Sequence, residues 1–241
     1  MMNPTYVALS ADLHKNKKVK EIANYAHAKD FHLASISVDE FGLASANYPI
    51  VFVRNDDKSI SAVALMGLAP KQNLFIDSTF NWLVPYVPAI IRRYPFSFVK
   101  VSAESSDMAL CVNDTNAVLN DSEGLNLFNS DGTPSSHLTK VQKFLSHMHN
   151  MQHHSQTLFE LLDNEGLFTD KALEYQDKGE TKSMGGFMVV DYEKLRSLSD
   201  EKYLKLRSID SALECIHIHM GSLNQVQNLV HRANSLSQKD S

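Results

Sequence analysis

Cysteine is nearly missing from this chain, with two in 241 residues, Cys111 and Cys215. They stand far apart and belong to no CxxC pair or metal-ligand spacing. That reads as two buried thiols of a reducing compartment rather than a disulfide framework. A basic surplus is missing too. Lys and Arg number 23 against 28 Asp and Glu, a formal charge of −5, which argues against nucleic acid as a partner. No apolar run approaches the roughly 20 residues of a membrane helix. The longest candidate, LVPYVPAII at 83–91, carries two prolines, so membrane insertion is not expected. The opening residues show no apolar stretch followed by a small-residue cleavage site, which predicts no secretory signal and a cytoplasmic chain. There is no Walker loop, GxGxxG, GxSxG, HExxH or EF-hand loop, and no cofactor is expected. Their absence does not decide whether the chain is an enzyme, because carboxylate and histidine sites often lack a local motif.

What the chain has in abundance is concentrated in one stretch, Asn73–Val99. It holds the single tryptophan, three of the seven prolines and the pair Arg92-Arg93. Each aromatic buries roughly 150–250 Å², and prolines fix the backbone where the rings pack. The stretch therefore reads as the centre of one core. Trp82, Tyr86 and Tyr94 supply walls for a pocket, while Arg92 and Arg93 offer forks for a carboxylate or phosphate. Glu40, Asp77 and Asp131 are the candidate carboxylate partners of that pair. The expected partner is a small anionic ligand, or a protein or peptide; homo-oligomerisation is left open.

The patterning predicts an α+β fold: a largely antiparallel sheet from the N-terminal half packed with C-terminal helices. One domain is expected over 1–241, strand-rich at 31–113 and helix-rich at 136–234. VKEIANYAHA reads as a short helix. FHLASIS reads as a strand, and Ser37 with Glu40 as a capping box. PIVFV and AVALMGL form a hairpin around RNDDKSIS, and 96–113 a second around 104–107. Asn81–Arg93 is expected to be helical, with its prolines near the start. A long helix is expected over Ser136–Asp163, with Val141, Phe144, Leu145, Met148, Ser155, Leu158, Phe159 and Leu162 on one stripe. EYQDKGETKSMGG reads as a polar, hairpin-like connection, FMVVD as a strand, and Asp191 and Asp200 as N-caps. ALECIHIHM reads as a strand, Ser222 with Gln225 as a second capping box, and the last residues as frayed.

Two histidine groups suggest metal chemistry. His147, His149, His153 and His154 crowd the long helix, but they lie on both flanks of its apolar stripe and cannot converge on one ion, so a solvated face is the better reading. His217 and His219 alternate on the expected strand ALECIHIHM and would face the same way. Joined by Glu40 or His32 they would supply a three-ligand set, with Glu40 the two histidines and a carboxylate of a metal-dependent enzyme acting on a small molecule or peptide. That is the alternative to a non-enzymatic accessory or binding role.

Several segments in order resemble the SapC family: DEFGLASANYPIVF, ALMGLAPKQNLFID, NWLVPYVPAIIRRYPFSFV, GLNLFNSDGTPS, GGFMVVDYEKLRSLSDEKYLKL and HIHMGSLNQVQNL. This is the family associated with bacterial surface layers, not the membrane permease of the same name. The resemblance covers nearly the whole length. It implies a cytoplasmic accessory or binding protein of Gram-negative bacteria, linked to surface-layer or outer-membrane peptide or glycan uptake loci. Genes for TonB-dependent receptors, tryptophan-halogenase-like and cupin-like proteins are its expected neighbours. On the family pattern the residues to watch are Glu40, Trp82, Tyr86, Arg92, Arg93, Tyr94, Asp131 and His219.

Overall fold

The computed structural model describes residues 6–101, 107–115, 118–177 and 180–237. Helices stand beside antiparallel sheets, so the fold class is α+β. Among the described residues no helix is long and apolar enough to cross a membrane. The chain divides into two compact units, Met1–Ala23 with Ile91–Asn150, and Asn24–Ile90 with Met151–Ser241.

In the first unit a three-stranded sheet runs in the order Tyr6–Ala8, Met108–Asn113, Phe96–Lys100. The expected 96–113 hairpin is present, with residues 104–106 of its turn outside the described residues. A second, smaller sheet places Lys18–Val19 between Leu119–Asn120 and Leu125–Asn126. The helix expected from Val19 onward is thus not formed. Val19 instead sits in a core with Phe96, Val112, Leu119, Leu127, Leu138 and Leu145, and strand pairing overrides the weak local helical pattern. Gly124 makes this packing possible. It has φ +104°, and a Cβ there would lie 2.1 Å from the carbonyl oxygen of Val19, so only a residue without a side chain fits.

The second unit is built on a five-stranded sheet in the order Phe168–Asp177, Glu180–Val190, Ile50–Arg54, Ile60–Leu65, Leu33–Ile36. Two of its strands therefore come from the half expected to be helical. The polar segment expected as a hairpin-like connection forms the outer part of a hairpin with arms longer than expected. Its side chains there, such as Lys171, Glu174, Thr181 and Lys182, are mostly exposed, and the alternation is carried by little more than the half-buried Leu173 and Tyr175, a weak signal of strand. Phe168 and Phe187–Val190 are buried at the hairpin's inner end, where Met188 pairs with Phe52. An aromatic cluster fills the core: Phe52 lies 5.2 Å from Phe159, 4.7 Å from Phe168 and 4.9 Å from the ring of His219.

The long helix Ser136–Asn164 matches its expectation and gives its first part to one unit and its last part to the other. Leu145, Ser155, Leu158, Phe159 and Leu162 of the predicted stripe are buried. The Asn81–Arg93 helix shrinks to Ala89–Arg92. Pro85 and Pro88 disfavour the α conformation at Val84 and Val87, so no helix starts before Pro88. ALECIHIHM is likewise helical, as Ala212–Ser222. Its buried positions are Ala212, Cys215, Ile216, His219 and Ser222, a spacing of three and four that outweighs the short alternation. Ser222 lies inside that helix and caps nothing further on. Its Oγ donates to the His219 carbonyl at 2.6 Å and accepts the Ile50 N–H at 2.9 Å. The Ser37–Glu40 capping box and the Asp191 cap are present, whereas Ser199 rather than Asp200 caps Asp200–Arg207. The closing helix Gln225–Ser237 follows, and residues 238–241, where fraying was expected, lie outside the described residues. Both cysteines are buried and unpaired.

Candidate functional site

Proline sets the shape of the first unit's main cleft. The helix Ala89–Arg92 stops at Tyr94-Pro95, and the chain then enters the strand Phe96–Lys100. Arg92, Arg93 and Tyr94 are thereby placed on the wall of a cavity of about 860 Å³. A second wall comes from His137, Val141 and Phe144 on the long helix, and a third from Val19–Ala23 with Glu123–Leu125.

The cations of this cleft are held in different ways. The Arg92 guanidinium lies over the Phe144 ring, 5.3 Å from its centroid, a cation–π contact. Lys20 pairs with Glu123 at 2.8 Å, and both side chains are more than half exposed, so the pair adds little stability. Arg93 differs from both. It is half-buried, and among the described residues no carboxylate lies within ion-pair distance of it. Burial pulls its pKa below the usual guanidinium value, against the opposing influence of Tyr6. Burial also raises the phenols of Tyr6 and Tyr94, so both stay neutral hydroxyls at physiological pH.

His137 completes this wall. Burial lowers its pKa, opposed by Glu21, so the ring is neutral at pH 7. Its Nε2 is buried without a hydrogen-bond partner among the described residues. The space thus has apolar surface from Val19, Ile22, Phe96, Val141 and Phe144, two carboxylates, Glu21 and Glu123, and a guanidinium, Arg93, with which neither is paired. No serine, threonine or cysteine lines it among the described residues, so no hydroxyl or thiol nucleophile of those types faces the cavity. Such a cleft suits an anionic group carried on an apolar body.

Glu40, Trp82 and Tyr86 lie in the second unit and form a network of their own. The Trp82 Nε1–H donates to the Tyr48 hydroxyl at 2.8 Å, and that hydroxyl donates to the Tyr86 carbonyl at 2.5 Å. The Tyr86 hydroxyl donates to Glu40 Oε1 at 2.6 Å, as does the Ala89 N–H at 2.8 Å. The Ser37 N–H and Oγ–H both reach Glu40 Oε2 at 3.0 Å. Tyr48 is fully buried, and burial pushes its pKa up. Buried polar groups with this many partners rigidify a core, and the prolines around Tyr86 need such anchoring because their missing N–H groups cannot supply it.

Asp131 belongs to the first unit but not to the cleft lining. Its Oδ1 accepts the Thr133 N–H at 2.9 Å and the Thr133 hydroxyl at 2.6 Å. These bonds hold its carboxyl below the usual range and make it a turn residue. Asp77 is similar: its Oδ1 accepts from Thr79 and Asn81.

The metal triad is not assembled. On a helix, positions two apart point to opposite sides, so His217 is exposed while His219 is fully buried. Both ring nitrogens of His219 are engaged. The Val190 N–H donates to Nε2 at 3.1 Å, which places the proton on Nδ1, 2.9 Å from the Ile50 carbonyl. Burial lowers its pKa to about 4, partly opposed by the Ile50 bond, so the ring is neutral. Among the described residues no group of three His, Cys, Asp or Glu is placed to hold a metal ion.

The residue that sequence reasoning missed is His137. The apolar stripe of the long helix was started at Val141, and one further turn back lies His137. Continuing the 3.6-residue period would have found it.

A family model described as SapC matches residues 9–229 of the chain. No curated protein and no solved structure matches it.

Proposed function

We propose, from the premise that this chain belongs to the SapC family, that it is an accessory binding protein whose first-unit cleft receives an anionic group. The group belongs to a small ligand or to a protein or peptide partner. One observation carries this reading: Arg93 is half-buried on the wall of the cleft, and neither carboxylate of the lining, Glu21 or Glu123, nor any other among the described residues is within ion-pair distance of it. A desolvated cation left uncompensated is costly, and a bound anion would offset that cost. Family membership supports the further placement of this role at surface-layer biogenesis or outer-membrane peptide or glycan uptake loci, on the cytoplasmic side. The net charge of −5 fits a partner other than nucleic acid.

Native mass spectrometry of protein isolated from its own cells tests the reading. An organic acid or acidic peptide should travel with the wild type and be lost from Arg93→Met. Equal retention by that variant would refute the cleft as the site, and a neutral copurified molecule would refute the class.

A further inference from the structure

The second unit has a cavity of its own, about 490 Å³, against the closing helix Gln225–Ser237. That volume falls within the roughly 300–1,000 Å³ of small-molecule sites. Its wall presents Asn47, Gln225, Asn228, His231 and Arg232, with Leu74 and Leu83 as apolar surface. No aspartate or glutamate lines it among the described residues, although the chain as a whole is acidic.

Arg232 is the organising cation. Its guanidinium lies over the Phe75 ring, 4.8 Å from the centroid. Stacking uses the flat face of a guanidinium and leaves its N–H edge available. Among the described residues Arg232 makes no ion pair. The amides are partly fixed. Asn228 Nδ2–H donates to Gln225 Oε1 at 2.8 Å, which leaves Asn228 with an acceptor oxygen and Gln225 with donor hydrogens. Asn47 is half-buried, and its side chain makes no hydrogen bond among the described residues.

A guanidinium edge fits a carboxylate or phosphate. Amides donate and accept in one plane, which matches hydroxyl groups that do both. We infer that this cavity binds a small hydroxylated anion, a sugar phosphate or sugar acid, with Arg232 on the anionic group and Asn47, Gln225 and Asn228 on the hydroxyls. The inference stands on second-unit residues and does not depend on the Arg93 cleft.

Isothermal titration of the full chain with glucose 6-phosphate, glucuronate, glucose and inorganic phosphate tests it. At least one of the two hydroxylated anions should bind with Kd below about 1 mM. Glucose, which lacks the charge, and phosphate, which lacks the hydroxyls, should each bind at least roughly tenfold more weakly. Arg232→Gln should weaken the hydroxylated anion by at least about tenfold. Asn228→Ala, at an exposed position, should weaken it by roughly threefold or more. Three results would overturn the inference: no binding of either hydroxylated anion at millimolar concentration, phosphate alone binding as tightly, or binding that survives both substitutions.

Discussion

Acidifying the solution from pH 7.5 to 4.5 should load a proton onto His219 in the unfolded chain long before it does so in the folded one. The folded ring is neutral, fixed between the Val190 N–H and the Ile50 carbonyl, with its pKa lowered to about 4 from an ordinary value of 6.5. The unfolded state therefore binds more protons between pH 6.5 and 4, so stability falls as the pH falls through that window. Each pH unit inside it costs at most about 1.4 kcal/mol, and the loss at pH 4.5 comes to roughly 2.5 kcal/mol. The comparison is His219→Gln, which does not titrate there. At pH 7.5 that substitution should cost about 2–4 kcal/mol, from the lost ring packing against Phe52 and imperfect pairing of two backbone groups. At pH 4.5 most of the difference should vanish. Carboxylates such as Asp163 and Glu165 titrate in both proteins and cancel in the difference, being outside the contacts of His219. The assay is urea unfolding at four pH values followed by tryptophan fluorescence. Trp82 is the single tryptophan and belongs to the same unit as His219. A difference between the two proteins that stays constant within about 0.5 kcal/mol from pH 7.5 to 4.5 would refute the reasoning.

Three further outcomes follow from the packing. Glu40→Ala should destabilise the second unit by about 2–4 kcal/mol, because the Ser37 and Ala89 N–H groups and the Tyr86 hydroxyl lose their acceptor together; Tyr86→Phe should cost only about 1 kcal/mol, and equal effects in the fluorescence-detected transition would contradict the network. Gly124→Ala should cost the first unit at least about 2 kcal/mol, measured by amide hydrogen exchange at Val112 and Leu119; an unchanged exchange rate would show that the chain near Val19 yields freely. His137→Leu should be neutral or stabilising by up to about 1 kcal/mol, since it removes a buried nitrogen that lacks a partner, and a loss above that in the same exchange measurement would mean Nε2 is satisfied in solution.

Legibility from sequence followed the strength of the periodic signal. The helix Ser136–Asn164 was readable because its stripe repeats through many turns, and the hairpin Ile50–Arg54 with Ile60–Leu65 because turn residues separate two apolar runs. Ala212–Ser222 was misread because Cys215, His217 and His219 alternate over a span too short to separate a strand from a buried helix face. Of the hairpin at 168–190 the strand FMVVD and a hairpin-like connection were legible, but the length of its arms was not, because outside Leu173, Tyr175 and Met184 its outer side chains are mostly exposed. At the site, Arg92-Arg93-Tyr94 stood out as a block, and these three do share one cleft. That Trp82 and Tyr86 fall in one unit and Arg92-Arg93-Tyr94 in the other was not legible, since a boundary between units can cross a proline-rich stretch without any change of composition. Neither Arg232 nor His137 was marked, because each gains its meaning from neighbours distant in sequence.

Titrating hexanoate and its methyl ester into the wild type and Arg93→Met tests the central claim most directly. Hexanoate should bind the wild type and its ester should not, with the acid weakened by at least about tenfold in the variant and by high salt. Equal affinity of wild type and variant for the acid, or of acid and ester for the wild type, would contradict an anion held by Arg93.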